Sequence, residues 1–185
     1  MPEAIGHVIP LRTGLIQDNL KHVISRLKGK FHIEHRNVKG ELIGKYDITN
    51  GITNEGKDLL LDVMFNDGTQ VANNSWFLGL IDLSGFTALA DADTMASHAG
   101  WSELTAYTEA NRPGWGSGAA ASQSTTNASP VTFSPNATNT VKGIFATSNN
   151  TKGGTTGTLW ATALFSADVP VNNGDSLKVT YTVSA

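Results

Sequence analysis

Leu177-Lys178-Val179-Thr180-Tyr181-Thr182-Val183-Ser184 is the stretch that decides the fold. Leu177, Val179, Tyr181 and Val183 alternate with Lys178, Thr180, Thr182 and Ser184, so an extended chain here has one apolar and one polar side. That period of two belongs to a strand, whose successive side chains leave on opposite faces. Asn172-Asn173-Gly174-Asp175 stands directly before it and supplies the residue types of a tight reversal. Working back, residues 131–133, 141–145, 159–165 and 169–171 are further short apolar runs. Trp76-Phe77-Leu78-Gly79-Leu80-Ile81 is apolar on both faces, which predicts a central strand covered on both sides. Short strands at even spacing with turn chemistry between them predict an antiparallel β-sandwich or jelly-roll-like domain, so the fold class is mainly β. Residues 87–100 are Ala-rich and predict a short helix, residues 103–108 a further strand, and residues 111–127 a loop.

The front of the chain reads differently. Ile16, Leu20, Val23, Ile24 and Leu27 form one apolar stripe at helical spacing. Thr13 caps that helix and Gly29 ends it, while Asp18, Lys21, Ser25 and Arg26 make its polar back. Short helices rarely persist without a surface to cover, so this one docks either on its own domain or on a neighbouring subunit. Residues 31–48 predict a hairpin, with Phe31 and Ile33 on one strand, Leu42, Gly44, Tyr46 and Ile48 on the other, and Asn37-Val38-Lys39-Gly40 as the turn. A further short helix follows: Thr53 caps it, Glu55 sits in its first turn, Leu59, Leu60, Val63 and Met64 give its apolar face, and Asn66-Asp67-Gly68 stops it. The expected organisation is an N-terminal arm over residues 1–48 and a β-sandwich domain over residues 49–185.

Charge divides the chain the same way. Charged residues are only 16% of the 185, against about a quarter in an ordinary soluble chain. The replacements are Thr, Asn, Ser, Gly and Ala, and 39% of residues are hydrophobic, which separates this composition from charge-rich disordered chains. From Arg12 to Lys45 eight basic residues stand against Asp18, Glu34 and Glu41. From Asp47 to Glu109 ten acidic residues stand against Lys57 alone. From Pro113 to Gly174 only Lys142, Lys152 and Asp168 are charged. A basic start points to an anionic partner, and the acidic middle of a neighbouring copy is one. Basic residues interleaved with acids, ahead of an acidic body, do not point to nucleic acid.

The chain has no cysteine, so neither a disulfide framework nor a thiolate metal site is available. Met1-Pro2-Glu3-Ala4-Ile5-Gly6-His7 lacks the basic-then-apolar pattern of a secretory signal, and no apolar run approaches a membrane span. The expectation is a soluble protein made in the cytoplasm, with no membrane partner.

Chemical motifs are weak. His32 and His35 are three apart, which on a strand sends them to opposite faces; they read as two edge-strand histidines. Asp91 and Asp93 open like a calcium loop, but Met95, Ala96 and Ser102 occupy its ligand, glycine and glutamate positions, so a capping role is expected. Gly114-Trp115-Gly116-Ser117-Gly118-Ala119 matches a dinucleotide fingerprint in letters but lacks the strand before it and the helix after it. Lys152 precedes Gly153-Gly154, the wrong order for a phosphate-binding loop. Ser97 and His98 are neighbours and cannot aim at one another as nucleophile and base. Glu103 and Glu109 are the one conceivable pair of glycosidase carboxylates. The reading is a non-enzymatic protein with no catalytic, metal or cofactor site.

A resemblance then enters. Asn50-Gly51-Ile52-Thr53-Asn54-Glu55-Gly56-Lys57-Asp58-Leu59-Leu60-Leu61-Asp62 resembles a pattern of tailed-bacteriophage virion proteins, as do Trp76-Phe77-Leu78-Gly79-Leu80-Ile81-Asp82 and Ala92-Asp93-Thr94-Met95-Ala96-Ser97-His98-Ala99-Gly100-Trp101. Gly153-Gly154-Thr155-Thr156-Gly157-Thr158-Leu159-Trp160 and Gly174-Asp175-Ser176-Leu177-Lys178-Val179-Thr180-Tyr181 are similar in the same way. Together they span roughly residues 50–185. The resemblance implies a structural component of the virion, most like a capsid decoration or cement protein on the head surface. It implies the major capsid protein as partner, and self-association, as a trimer. The expected contact residues are Arg12, Ile16, Leu20, Lys21, Val23, Arg26, Lys28 and Lys30. The alternative is a head- or tail-fibre adhesin domain that binds a host surface glycan, with Trp101, Trp115 and Tyr107 stacking on sugars.

Overall fold

The computed structural model describes residues 27–185. The helix expected over residues 13–28 therefore lies, but for its last two positions, outside the described residues. From Lys28 onward the chain builds nine strands and one α-helix: β1 (Lys28–Arg36), β2 (Leu42–Ile52), α1 (Asn54–Phe65), β3 (Phe77–Asp82), β4 (Glu103–Leu104), β5 (Ser124–Thr126), β6 (Val131–Phe133), β7 (Asn139–Thr147), β8 (Leu159–Val171) and β9 (Ser176–Ser184). The strands join edge to edge in the order β4-β3-β7-β8-β2-β1-β9-β5, and β6 also pairs with β9. All the strand pairs are antiparallel. The mainly β expectation holds, in the form of one antiparallel sheet curled into a half-barrel.

β2 makes the curl. Its first part pairs with β1, and its last two residues, Gly51 and Ile52, pair with Thr162 and Ala161 of β8. The concave faces of the two halves then share one core. Phe31, Ile33, Val179 and Tyr181 come from one half, and Leu80, Ile144, Phe165 and Val171 from the other. The register sets this up: Phe31 lies between Ile48 and Tyr181, and Ile33 between Tyr46 and Val179. Phe31 stacks on Tyr181 with ring centroids 4.0 Å apart. Each such buried side chain contributes roughly 1.5–3 kcal/mol. A smaller core of Ile81, Met95, Trp101, Phe145 and Leu159 fills the other face of β3 and β7. β3 is thus covered on both sides, as its unbroken apolar run predicts.

Other expectations are corrected. The β1–β2 hairpin lies at the centre of the sheet, between β8 and β9, and the expected boundary at residue 48 falls inside β2. Residues 28–48 are therefore part of the body. The histidines of β1 are correspondingly on a central strand, not an edge. The runs at 159–165 and 169–171 are one 13-residue strand, β8, whose pairing with β7 slips in register between Val141 and Gly143. Residues 87–100 form turns instead of a helix, because Asp93 ties this loop down: its carboxylate accepts from the Ala90 N–H (2.9 Å) and from Trp101 Nε1 (3.0 Å). Of residues 103–108 only Glu103 and Leu104 are strand.

α1 starts and stops as its sequence requires. The Thr53 hydroxyl accepts from the Gly56 N–H at 3.0 Å and donates to the carbonyl of Leu159. Glu55 accepts from the Leu159 N–H at 2.7 Å, pinning the first turn to β8. At the other end Asp67 adopts a left-handed φ of 55°, and the Asn66 and Gly68 N–H groups both reach the Asp62 carbonyl at 2.9 Å.

Candidate functional site

The polar cluster around Arg112 is deeply placed. Arg112 is 2% exposed although it is a loop residue. Its Nε and Nη2 donate to the two oxygens of Glu103 (3.0 and 2.8 Å), and its remaining donors reach the carbonyls of Asn149 (3.0 Å) and Gly154 (2.8 Å). The Gly153 N–H adds a third donor to Glu103 at 2.6 Å. Glu109 accepts instead from the Ser134 N–H at 3.1 Å. The two carboxylates considered as an acid–base pair are thus each committed elsewhere. Lys152 donates to the carbonyls of Tyr107 (2.8 Å) and Glu109 (2.6 Å) and lies over the Tyr107 ring at 4.2 Å. Burial, with the nearby Glu103 carboxylate, pushes the Tyr107 phenol far above its ordinary range.

The two histidines separate as strand geometry demands. His35 points inward and pairs with buried Asp175 at 2.9 Å. His32 points outward to Asp47 at 2.9 Å. Asp91 is exposed, and Asp93 is taken up by Trp101 and Ala90. His98 stacks on Trp101 at 4.0 Å, closing the loop that also holds Ser97. No group of three or more potential metal ligands occurs among the described residues. The three aromatics considered for sugar stacking, Trp101, Trp115 and Tyr107, are all buried. Trp115 donates from Nε1 to the Tyr181 carbonyl at 2.9 Å and packs on the Tyr181 ring.

Of the expected contact residues, Arg12, Ile16, Leu20, Lys21, Val23 and Arg26 lie outside the described residues. Lys28 and Lys30 are exposed on the outer face of β1. Lys30 and His32 share Asp47, and Arg36 and Lys45 share Glu34. Hydrogen bonds from Arg36 and then Lys45 hold the Glu34 carboxyl below its ordinary value, and those from His32 and Lys30 do the same for Asp47. The outer face of the hairpin is thus a ladder of both signs, and much of its positive charge is answered within the chain.

What stands out on the surface is apolar. Val38 (72% exposed), Leu42 and Ile43 crowd the tip of the β1–β2 hairpin. Leu60, Leu61, Met64 (63%) and Phe65 (81%) line one side of α1. α1 is held to β8 at its first turn by Thr53, Glu55 and buried Gly56, and beyond that only Leu59 and Val63 are half-buried, because its apolar positions extend over two faces. The run Leu59-Leu60-Leu61 followed by Val63-Met64-Phe65 carries that signal: a helix apolar over so wide an arc needs more than one surface to cover it. Two clefts flank α1. One, of about 480 Å³, is walled by Leu59, Val63, Trp76, Trp115 and Trp160. The other, of about 860 Å³, is lined by Leu27, Ile52, Lys57, Leu60 and Leu61. The hairpin tip and α1 lie at opposite ends of β2, which at a strand's rise puts them roughly 33 Å apart.

No family model matches the chain, and a search of curated proteins finds no match either. Among the described residues no helix is long and apolar enough to cross a membrane.

Proposed function

We propose that this protein is a structural virion component that decorates and stabilises the capsid of a tailed bacteriophage. In this reading it binds the major capsid protein lattice and neighbouring copies of itself, as a trimer, without enzymatic activity. One observation carries the proposal: a well-packed, charge-poor half-barrel exposes apolar side chains at the tip of its β1–β2 hairpin, the end of β2 away from α1. Exposed apolar clusters of this kind mark surfaces meant for other proteins. Subunits placed in a symmetric lattice repeat each contact many times, so a protruding apolar tip on a compact body suits that setting. The hairpin tip of Val38, Leu42 and Ile43 is the first contact point. Lys28 and Lys30, at the opposite end of the hairpin where Gly29 pairs with Asn50, and Arg12, Lys21 and Arg26 before them in sequence supply the basic contacts. The sequence resemblance to virion proteins supplies the identity of the lattice.

A glycan-binding fibre domain is the competing reading, and it has lost its sugar-stacking side chains to the core. Copy number separates the two. Quantitative mass spectrometry of purified particles, with cryo-electron microscopy of the head, should find on the order of hundreds of copies spread over the capsid surface. A few copies at a vertex or tail would favour the fibre, and absence from the particle would overturn both.

A further inference from the structure

We propose that residues 13–27 seat their apolar stripe on the exposed face of α1 in the same chain. The vacant surface is specific. Leu60, Leu61, Met64 and Phe65 recur at i, i+1, i+4 and i+5, so they share one side of α1, next to the side that Leu59 and Val63 turn to the sheet. The occupant is specific too. Ile16, Leu20, Val23, Ile24 and Leu27 make a stripe that needs a surface, and Leu27, its last member, already lines the cleft beside Leu60 and Leu61.

Length, charge and tethering agree with this. As a helix, residues 13–27 would be about 22 Å long, against about 18 Å for the 12 residues of α1, so the two match end to end. Asp58, Asp62 and Asp67 border the exposed face of α1, and Asp91 lines the cleft. Lys57 is the one basic residue of α1 and lines the same cleft. The segment holds Lys21 and Arg26 against Asp18, with Arg12 and Lys28 at its two ends. Opposite signs on the two elements favour this pairing over a pairing of two α1 faces, which would oppose like charges. The segment enters the cleft at Leu27 with no linker, so its effective concentration there is on the order of millimolar or above, well beyond any free copy. With the stripe turned inward, Lys21 and Arg26 flank it on its two sides. This seating stands independently of the virion reading, since it concerns the isolated chain.

The native chain has no cysteine, which makes the test clean. Leu20→Cys is combined in the full chain with Met64→Cys, with Leu61→Cys, or with Lys39→Cys at the far hairpin tip as control. Each variant is treated at micromolar concentration with a short bis-maleimide. The expected result is a cross-linked monomer with the two α1 positions, formed roughly a hundredfold more readily than with the control. A cross-linked dimer at the α1 positions would overturn the proposal in favour of a second copy. No cross-link above the Lys39→Cys control would overturn seating altogether. Met64 and Leu61 are exposed, so these cysteines leave the core intact. Deleting residues 1–26 gives a second reading: binding of a hydrophobic dye should rise, and Leu61→Ser with Phe65→Ser should remove the increase. Equal dye binding by full chain and deletion variant would count against a covered face.

Discussion

Arg112 and Glu103 meet in a two-bond ion pair with both side chains at least nineteen-twentieths buried, at 1% and 5% exposure. The pair ties the residue 103–112 segment to the loop at Asn149 and Gly154, and so closes one end of the half-barrel. Removing one member leaves a buried charge without its partner, which costs about 3–5 kcal/mol. Arg112→Met and Glu103→Gln should each lower stability by that order in urea unfolding. Arg112→Lys should recover little, because an ammonium cannot make the paired, planar contacts to carboxylate and carbonyls together. A loss below about 1 kcal/mol for Arg112→Met would mean that the pair does not hold these loops.

Sequence patterns disclosed the parts of this fold that are locally determined. The alternation of Leu177, Val179 and Tyr181, the Asn37–Gly40 turn and the Thr53 cap each depend on a few neighbouring residues, and each is present. Patterns failed where distant pairing decides. Nothing near Phe31 says that Tyr181 will lie beside it, so the hairpin reads as an appendage and is in fact the middle of the sheet. Ser166, Ala167 and Asp168 are exposed and look like a turn, yet the chain stays extended through them. The Arg112–Glu103 pair had no signal at all, since loop geometry alone brings together residues nine apart. For the candidate surface, the sequence pattern gives α1 one apolar face of Leu59, Leu60, Val63 and Met64; the packing splits it, leaving Leu60 and Met64 exposed beside Leu61 and Phe65, because only the packing shows which side the sheet takes.

Two glycines should answer differently to the same substitution. A Cβ on Gly143 would lie 2.3 Å from the Ala163 carbonyl oxygen, a backbone atom that cannot swing away. Gly143→Ala should therefore push β7 from β8 and cost on the order of 1–3 kcal/mol. A Cβ on Gly51 meets nothing within 4 Å. Gly51→Ala should stay within about 0.5 kcal/mol of wild type. Thermal unfolding of the two variants side by side checks this, and equal midpoints would show that the strands do not pack as closely as described.

The outer ladder of the hairpin predicts an acid limb. Glu34 and Asp47 bind protons more weakly in the folded chain than in the unfolded one. Their contribution is present above the ordinary carboxylate range and is lost as pH falls through their lowered folded values, that is, below about pH 5. The double variant Glu34→Gln/Asp47→Asn should show a shallower fall of the urea midpoint on acidification. All four side chains around Glu34 and Asp47 that donate to them are at the surface or half-buried, so salt should shrink the difference between variant and wild type. Parallel acid limbs at low salt would show that the ladder makes no net contribution.

The hairpin tip separates binding from folding. Val38 lies over the β8–β9 reversal, where a Cβ on Gly174 would come within 3.0 Å of its Cγ2, and both it and Ile43 are mostly exposed. Charge placed there costs the isolated body little, since surface changes away from buried features usually stay within about 0.5 kcal/mol. Charge buried in an interface without a partner is costly by several kcal/mol. If the protein has the proposed capsid-binding role, Val38→Asp with Ile43→Asp should leave the unfolding midpoint near wild type while weakening attachment to the capsid at least about tenfold, the equivalent of 1.4 kcal/mol. Co-sedimentation with particles lacking their own copy of the protein measures the attachment. If the double variant binds as wild type does, the tip is not the contact, and the basic residues Lys28 and Lys30 become the next to reverse in charge.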